Sequence, residues 1–311
     1  NVRQLRSKLS KNCQFMAVVK ADGYGHDAKV VSDFAIKGGA TQLGVATLKE
    51  GIKLRSSGVK KPILILGNLY SKRDLVISFK NDLMPTISSI RECLICNNIG
   101  KHFGLKFPLH LKIDTGMSRL GFEYDEFVQQ FEKIKSFENI LIEGIYSHLS
   151  SADEHNPLDP NSSTQLQLSK FQELLKQINL DRNNDFNIHL ANSAGMLLNK
   201  DFHFHMVRVG LSMYGYSPFA KIDKNLSLKP ALFLKVKVAF IRTIDKGVRV
   251  SYGGKFISSR KTKLAVLSIG YADGIPRNLS GKIKVIHDNE LYPQVGSITM
   301  DQMMVDITGS N

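Results

Sequence analysis

Short apolar runs alternate with amphipathic helical patterns from the start of the chain to about residue 215. Eight runs rich in β-branched residues predict buried strands, namely FMAVVK, QLGVAT, PILILG, LMPTIS, PLHLKIDT, LIEGIYSH, FNIHLAN and MVRVG. Amphipathic helices are predicted between them, for example over residues 123–137 and 163–178. Apolar strands that alternate with helices predict a parallel sheet covered by helices on both faces.

Eight strand–helix repeats favour a closed α/β barrel of the (β/α)8 TIM type over residues 1–222. A doubly wound open sheet is the alternative, because it is built from the same repeating unit. The two folds differ in whether the first strand pairs with the last.

The pattern changes after the loop SPFAKIDKNLSLKP, which contains two prolines. Strands now follow one another without helices, in LFLKVKVAFIRTI, GVRVSYGG, KLAVLSIGYADG, KIKVIH and YPQVGSITMDQMMVDIT. This pattern predicts a second, mainly-β domain over residues 223–311. The sequence begins at Asn1 without a methionine and ends just after a strand, so we expect it to be part of a longer natural chain.

The net charge is +14, from 42 Lys and Arg against 28 Asp and Glu. The basic residues are spread singly and no arginine-rich arm or aromatic RNA-binding motif accompanies them, so we expect no nucleic-acid partner. Small anions are natural ligands for such a charge. No apolar run reaches the roughly 20 residues that span a bilayer, which predicts a cytoplasmic protein without a membrane partner.

Candidate chemistry lies where the predicted barrel strands end. Lys20 closes the first strand, Arg119 follows the fifth, His148 closes the sixth, Ser193 follows the seventh and Arg208 lies within the eighth. Active sites of these barrels form at the carboxyl ends of the strands. The sequence therefore predicts that these five side chains meet at one mouth.

This set of residues suits pyridoxal 5'-phosphate. A lysine in a desolvated site can form a Schiff base with an aldehyde, which this cofactor supplies together with an electron sink. The motif GLSMYG after the last strand offers backbone N–H groups to a phosphate. His148 can stack on the pyridine ring, Arg208 can contact the ring nitrogen and Arg119 an anionic oxygen.

Each of these residues taken singly has an ordinary structural explanation. A lone lysine at a strand end usually faces solvent, and a lone histidine is more often a satisfied core residue. Cys93 and Cys96 have the spacing of a redox or zinc motif, but their apolar helical pattern favours buried cysteines. His203 and His205 are expected on one face of a strand without a third ligand, so no metal site is predicted.

Several motifs together resemble bacterial alanine racemases, in order from about residue 13 to residue 308: AVVKADGYGHD, KIDTGMSRLG, IYSHLSSADE, HLANSAG, MVRVGLSMYG, VSYGGKF, SIGYADGIPR and VGSITMDQMMVDIT. The resemblance implies a fold-type III pyridoxal phosphate enzyme that interconverts L- and D-alanine and supplies D-alanine for peptidoglycan. It also implies a homodimer with shared active sites. A racemase of serine or of broader specificity and a non-catalytic cofactor-binding barrel remain alternatives, although the second domain disfavours the latter.

The resemblance assigns roles to individual residues. Lys20 matches the cofactor lysine and the base toward D-alanine, and Tyr252 matches the base toward L-alanine, donated across the dimer. The cofactor-binding positions are matched by Lys20, Tyr24, Arg119, His148, Ser193, Arg208, Gly210 and Leu211. The substrate side is matched by Arg119, Tyr271, Met300 and Asp301. Lys112 matches a lysine that is carbamylated in some members.

The sequence also departs from the family pattern. Ser297 stands where many members carry arginine, and Gly254 stands where a larger residue is common. A tyrosine near the family's C-terminus that narrows the entrance has no visible counterpart.

Overall fold

The computed structural model describes residues 1–69, 71–180, 186–220 and 226–310. It divides into two compact units, Asn1–Leu232 and Phe233–Asn311. The predicted domain boundary at residues 222 and 223 lies outside the described residues.

The first unit is a closed barrel of eight parallel strands, taken in chain order. Closure is visible at Met16, which is paired with Gln42 on one side and with Arg208 on the other. The predicted barrel is therefore confirmed, and the open doubly wound sheet is excluded. The strands are β1 (Gln14–Val18), β2 (Gln42–Val45), β3 (Ile63–Ile65), β4 (Met84–Ile87), β5 (Phe107–Lys112), β6 (Ile140–Tyr146), β7 (Asn187–His189) and β8 (Met206–Val209).

Most helices of the first unit begin at a polar capping residue, because a side-chain oxygen there accepts from a free backbone N–H of the first turn. Thr47, Ser71, Ser89 and Ser162 cap four of them in this way. The helices are α1 (Val2–Ser7), α2 (Lys20–Tyr24), α3 (Ala28–Lys37), α4 (Leu48–Ser56), α5 (Lys72–Lys80), α6 (Ile90–Phe103), α7 (Tyr124–Lys135), α8 (Ser163–Gln177) and α9 (Ser193–Leu198). The two helices predicted over 123–137 and 163–178 are α7 and α8.

The main core lies between the strands and the surrounding helices, where the outward-facing strand residues are buried. A smaller cluster fills the inside of the barrel and contains Met16, Leu64, Met84, Tyr146 and Met206. Strands covered on both faces in this way give the continuous apolar runs of the sequence.

Two cysteines and two histidines have the spacing of metal-binding motifs in the sequence. Cys93 and Cys96 are fully buried in α6 as predicted, and burial raises the pKa of Cys93 to about 12. The expectation that His203 and His205 share one face of a strand is wrong, because both precede β8. His203 is buried there, with its Nε2 against the carbonyl of Met196.

The described strands of the second unit are β9 (Val238–Ile244), β10 (Arg249–Val250), β11 (Phe256–Ile257), β12 (Thr262–Leu267), β13 (Lys284–His287), β14 (Glu290–Val295) and β15 (Met303–Asp306). They form an antiparallel five-stranded sheet in the order β13-β14-β15-β12-β9 and a two-stranded sheet of β10 and β11. The prediction of a mainly-β domain is confirmed. In the described ranges of both units, none of the helices combines the length and apolarity that crossing a membrane would require.

Candidate active site

A cavity of about 380 Å³ opens at the carboxyl ends of the barrel strands. The geometry follows from the parallel topology, because the segments after β1, β5, β6, β7 and β8 all reach the same end of the barrel. Nine residues predicted from the sequence line this cavity: Lys20, Tyr24, Lys112, Arg119, His148, Ser193, Arg208, Gly210 and Leu211.

Lys20 begins α2, a short turn with an unusual backbone. Ala21, Asp22 and Gly23 follow it in left-handed conformations, with φ of 51°, 53° and 66°. Side chains rarely adopt this conformation, so the surrounding contacts must hold it. The Lys20 ammonium makes no hydrogen bond or ion pair with any residue in the described part of the chain.

Arg208 is buried inside the barrel, and no carboxylate of the described residues forms an ion pair with it. Its guanidinium donates to the carbonyls of Ser147 at 2.7 Å and Leu190 at 3.0 Å, and to Nδ1 of His189 at 2.8 Å and of His148 at 3.1 Å. Burial lowers the pKa of Arg208 to about 10, so the side chain stays charged at neutral pH. Its Nε–H has no acceptor among the described residues, although Arg208 lines the cavity.

A hydrogen-bonded relay of two further histidines lies behind Arg208, and the sequence did not identify it as part of the site. His189 accepts from Arg208 at Nδ1 and approaches Nδ1 of His110 at 2.9 Å through its Nε2. Burial, with Arg208 as the second cause, lowers the pKa of His110 to about 3 and that of His189 well below its usual value. Both imidazoles are therefore neutral. Polar residues within the apolar runs PLHLK and FNIHL were the available signal.

Tyr146 covers one side of the His110–His189 pair. The sequence analysis did not identify this tyrosine as part of the site either. Its ring stacks on His189 with centroids 4.6 Å apart and lies 4.9 Å from the Arg208 guanidinium carbon. Its hydroxyl is 2.7 Å from the Thr86 hydroxyl. The cation above an aromatic face is stabilised in this low-dielectric setting. Tyr146 thus packs against the guanidinium on the inside of the barrel.

The cavity end near β8 forms a small polar cradle. The Ser193 hydroxyl accepts from the backbone N–H groups of Gly210 at 3.2 Å and Ser212 at 3.3 Å. A Cβ at Gly210 would lie only 2.5 Å from the Tyr24 hydroxyl oxygen, so a larger residue here would have to displace that hydroxyl. The buried Ser212 hydroxyl has no partner among the described residues.

The cavity is electrically positive. Lys20, Lys112, Arg119 and Arg208 line it, and among the described lining residues only Asp153 carries a carboxylate. Burial and then the charges of Arg208 and Arg119 lower the pKa of Lys112 to about 8. A small anion such as a phosphate or carboxylate is the ligand that this arrangement favours.

The remaining predicted residues belong to the second unit, which is described by itself. Tyr252, Met300 and Tyr271 are exposed by 72%, 53% and 42%, and Asp301 is also exposed. The hydroxyl of Ser297 donates to the Tyr252 carbonyl at 2.9 Å. Ser297 therefore supports the backbone at Tyr252.

Comparison with known proteins decides the family. The family model described as alanine racemase, N-terminal domain, matches residues 1–218, and that of the alanine racemase C-terminal domain matches residues 231–311. The chain belongs to the alanine racemase family. The predicted family and the predicted enzyme class, an amino-acid racemase, are confirmed.

Individual relatives are similar over the whole chain. The alanine racemase of Prochlorococcus marinus is 49% identical over 310 residues, which cover 100% of this chain and 80% of the relative. The alanine racemase structure from Clostridium difficile 630 has a TM-score of 0.87 at 34% identity, covering 100% of this chain and 80% of that one. The Bartonella henselae alanine racemase, solved with covalently bound pyridoxal phosphate, has a TM-score of 0.85 at 30% identity, covering 100% and 84%.

Proposed function

We propose that this racemase interconverts L- and D-alanine with pyridoxal 5'-phosphate bound in the barrel cavity and covalently attached to Lys20. The observation that carries the proposal is the cavity itself, in which Lys20, unpaired among the described residues, faces the same space as a buried arginine and the Ser193 cradle. A lysine amine in such a site can attach a carbonyl cofactor by forming a Schiff base with it.

The residues present fit this cofactor. The buried Ser212 hydroxyl, which directly follows the cavity-lining Gly210 and Leu211, has no partner among the described residues and is a natural contact for a polar ligand. We assign the ring nitrogen to Arg208, the ring face to His148 and the anionic ring oxygen to Arg119. The phosphate is assigned to Tyr24, Ser193 and the backbone of Gly210 and Leu211. When bound, the cofactor would supply an aldehyde and an electron sink.

Racemisation requires a proton to leave and return on opposite faces of the alanine Cα, so one base is needed on each face. We assign these roles to Lys20 on the side of D-alanine and Tyr252 on the side of L-alanine. Arg119 would hold the substrate carboxylate, and Arg208 would keep its proton rather than give it to the ring nitrogen. A pyridine ring whose nitrogen lacks that proton withdraws electron density less strongly. This weaker withdrawal would limit side reactions such as transamination.

The second base and the substrate-side residues Tyr271, Met300 and Asp301 are proposed to come from a partner subunit in a homodimer. Their exposure in the second unit supports this assignment, because apolar and aromatic side chains that project into solvent commonly lie at interfaces. Each dimer would then contain two sites, each built from both chains.

Carbamylation of Lys112 is a further proposal. The depressed pKa leaves a large fraction of the amine neutral near pH 8, and a neutral amine adds carbon dioxide to give a carbamate and release one proton. The new negative charge would lie beside Arg119. Intact mass spectrometry in bicarbonate should show one added carbon dioxide that Lys112→Met lacks, and equal masses for both proteins would contradict it.

Substrate choice provides the test of the proposed function. The purified chain supplied with pyridoxal phosphate should racemise L-alanine with a kcat/KM at least about tenfold above that for L-serine, since a pocket shaped for a methyl group discriminates by roughly this factor. A preference for serine would replace the substrate assignment. Cofactor binding without any racemisation would favour a carrier protein.

The cellular role is the last part of the proposal. We propose that the D-alanine formed supplies peptidoglycan synthesis in the cytoplasm. Expression of the chain in a bacterial D-alanine auxotroph should restore growth without added D-alanine, whereas failure of an expressed and active enzyme to do so would contradict this role.

A further inference from the structure

Glu50 makes a contact that the proposed function does not use. Its position is the third residue of α4, where a glutamate commonly closes a capping box, and Thr47 and Glu50 form such a box here. One carboxylate oxygen, Oε2, accepts from the N–H groups of Ala46 at 2.7 Å and Thr47 at 3.0 Å. These bonds belong to its own helix start.

The other carboxylate oxygen leaves that helix start. Oε1 accepts from the N–H of Ala21 at 2.6 Å, which is the first left-handed residue after Lys20. The preceding strand ends with a bond from the N–H of Val19 to the carbonyl of Gly44 at 2.8 Å. The backbone of Lys20 is therefore anchored on both sides, first by the β1–β2 ladder and then by Glu50.

We infer that Glu50 is a positioning residue for Lys20, an assignment that rests on the proposed function. The carboxylate continues the connection between β1 and β2 beyond the last ladder bond and holds a turn whose backbone is otherwise unfavourable. Charge-assisted bonds to backbone N–H groups are among the stronger hydrogen bonds. The Glu50 carboxylate accepts three of them and so ties its own helix start to Ala21, 29 residues earlier in the chain.

A second side chain of α4 supports the same turn. Lys53 lies one helical turn after Glu50 and bonds to the Asp22 carboxylate at 2.9 Å. Both groups of that ion pair are exposed, and exposed pairs contribute little. Glu50 is half-buried and binds the backbone directly, so the inference is drawn for Glu50.

The chain offers a matched control in Glu92. It occupies the same third position of α6, after β4, and is also half-buried. Its carboxylate accepts from the N–H of Ser88 at 2.7 Å, in its own helix start, and makes no bond to the Lys20 turn in the described part of the chain. Glu92→Gln therefore removes the same cap chemistry without touching Lys20.

The experiment compares Glu50→Gln and Glu92→Gln in the full-length enzyme. A glutamine has a single accepting oxygen, so it can hold one of the two segments and must release the other. Amide hydrogen exchange at Ala21 should become at least about tenfold faster in Glu50→Gln and stay unchanged in Glu92→Gln.

Two functional measurements should change with it. In Glu50→Gln, the rate at which borohydride traps the cofactor on Lys20 should fall. The kcat should drop roughly 10- to 100-fold at nearly constant KM, because misplacement affects the reacting group more than substrate binding.

Equal amide exchange rates at Ala21 in both variants would overturn the inference. Faster exchange in Glu50→Gln with an unchanged borohydride trapping rate and an unchanged kcat would also overturn it. If Glu50→Gln does not fold, Glu50→Asp serves instead, because it retains the charge but is one methylene too short to span both segments. A wild-type protein that neither binds the cofactor nor racemises alanine would refute the proposed function. Hydrogen exchange at Ala21 would still report separately on whether the clamp exists.

Discussion

Replacing Lys20 with alanine is expected to abolish racemisation, with kcat/KM at least about 10⁴-fold below that of the wild type. The substitution would remove both the proposed covalent attachment and one of the two proposed bases, and no other lysine takes its place at the end of β1. The visible absorption band of the covalently bound cofactor should disappear at the same time. Spectra and initial rates with both alanine enantiomers would measure the effect.

Two comparisons separate this result from simple damage to the fold. Lys49→Ala, on the exposed surface of α4, should leave activity and spectrum unchanged. Mixing inactive Lys20→Ala with inactive Tyr252→Phe subunits should restore activity, because a hybrid dimer contains one site with both bases intact. A Lys20→Ala protein that keeps the band would refute the lysine assignment. Absence of recovery after confirmed subunit exchange would refute the shared site.

Arg208→Met is expected to lower the free energy of unfolding by about 2–4 kcal/mol, because each buried acceptor left without a donor costs about 1–3 kcal/mol and water recovers only part of it. The acceptors concerned are the carbonyls of Ser147 and Leu190 and Nδ1 of His148 and His189. Chemical denaturation at neutral pH measures this loss. The exposed Arg73→Met on α5 should change it by less than about 0.5 kcal/mol.

The same substitution has a pH signature with a definite sign. Burial first and the charge of Arg208 second hold the pKa of His148 and His189 well below 6.5. Below pH 6.5 the unfolded wild type therefore binds more protons than the folded form, and stability falls with falling pH. Without Arg208 the pKa values of His148 and His189 in the folded protein should rise. The loss of stability on acidification should then become smaller. The stability gap between wild type and Arg208→Met should thus narrow on acidification, and a gap that widens would contradict the assigned network.

The sequence determined the architecture because the relevant signals are local. β-branched apolar runs separated by amphipathic helices specify a barrel with both strand faces covered, and the loss of helical periodicity after the two prolines specifies the β-domain. Lys20, Arg119, His148 and Ser193 were placed at one mouth because parallel strands bring their carboxyl ends to the same side. Motifs in order along the chain then indicated the family.

Only the tertiary structure decided which distant side chains meet. His110 and His189 bond because the strand register places Gly144 opposite His110, where a Cβ would lie 2.4 Å from the His110 Nδ1. The contact of Glu50 with Ala21 joins the ends of β1 and β2 and looks like an ordinary helix cap in sequence. Local patterns fix the period and burial of each element, whereas these contacts depend on the register and closure of the barrel, which no short segment contains.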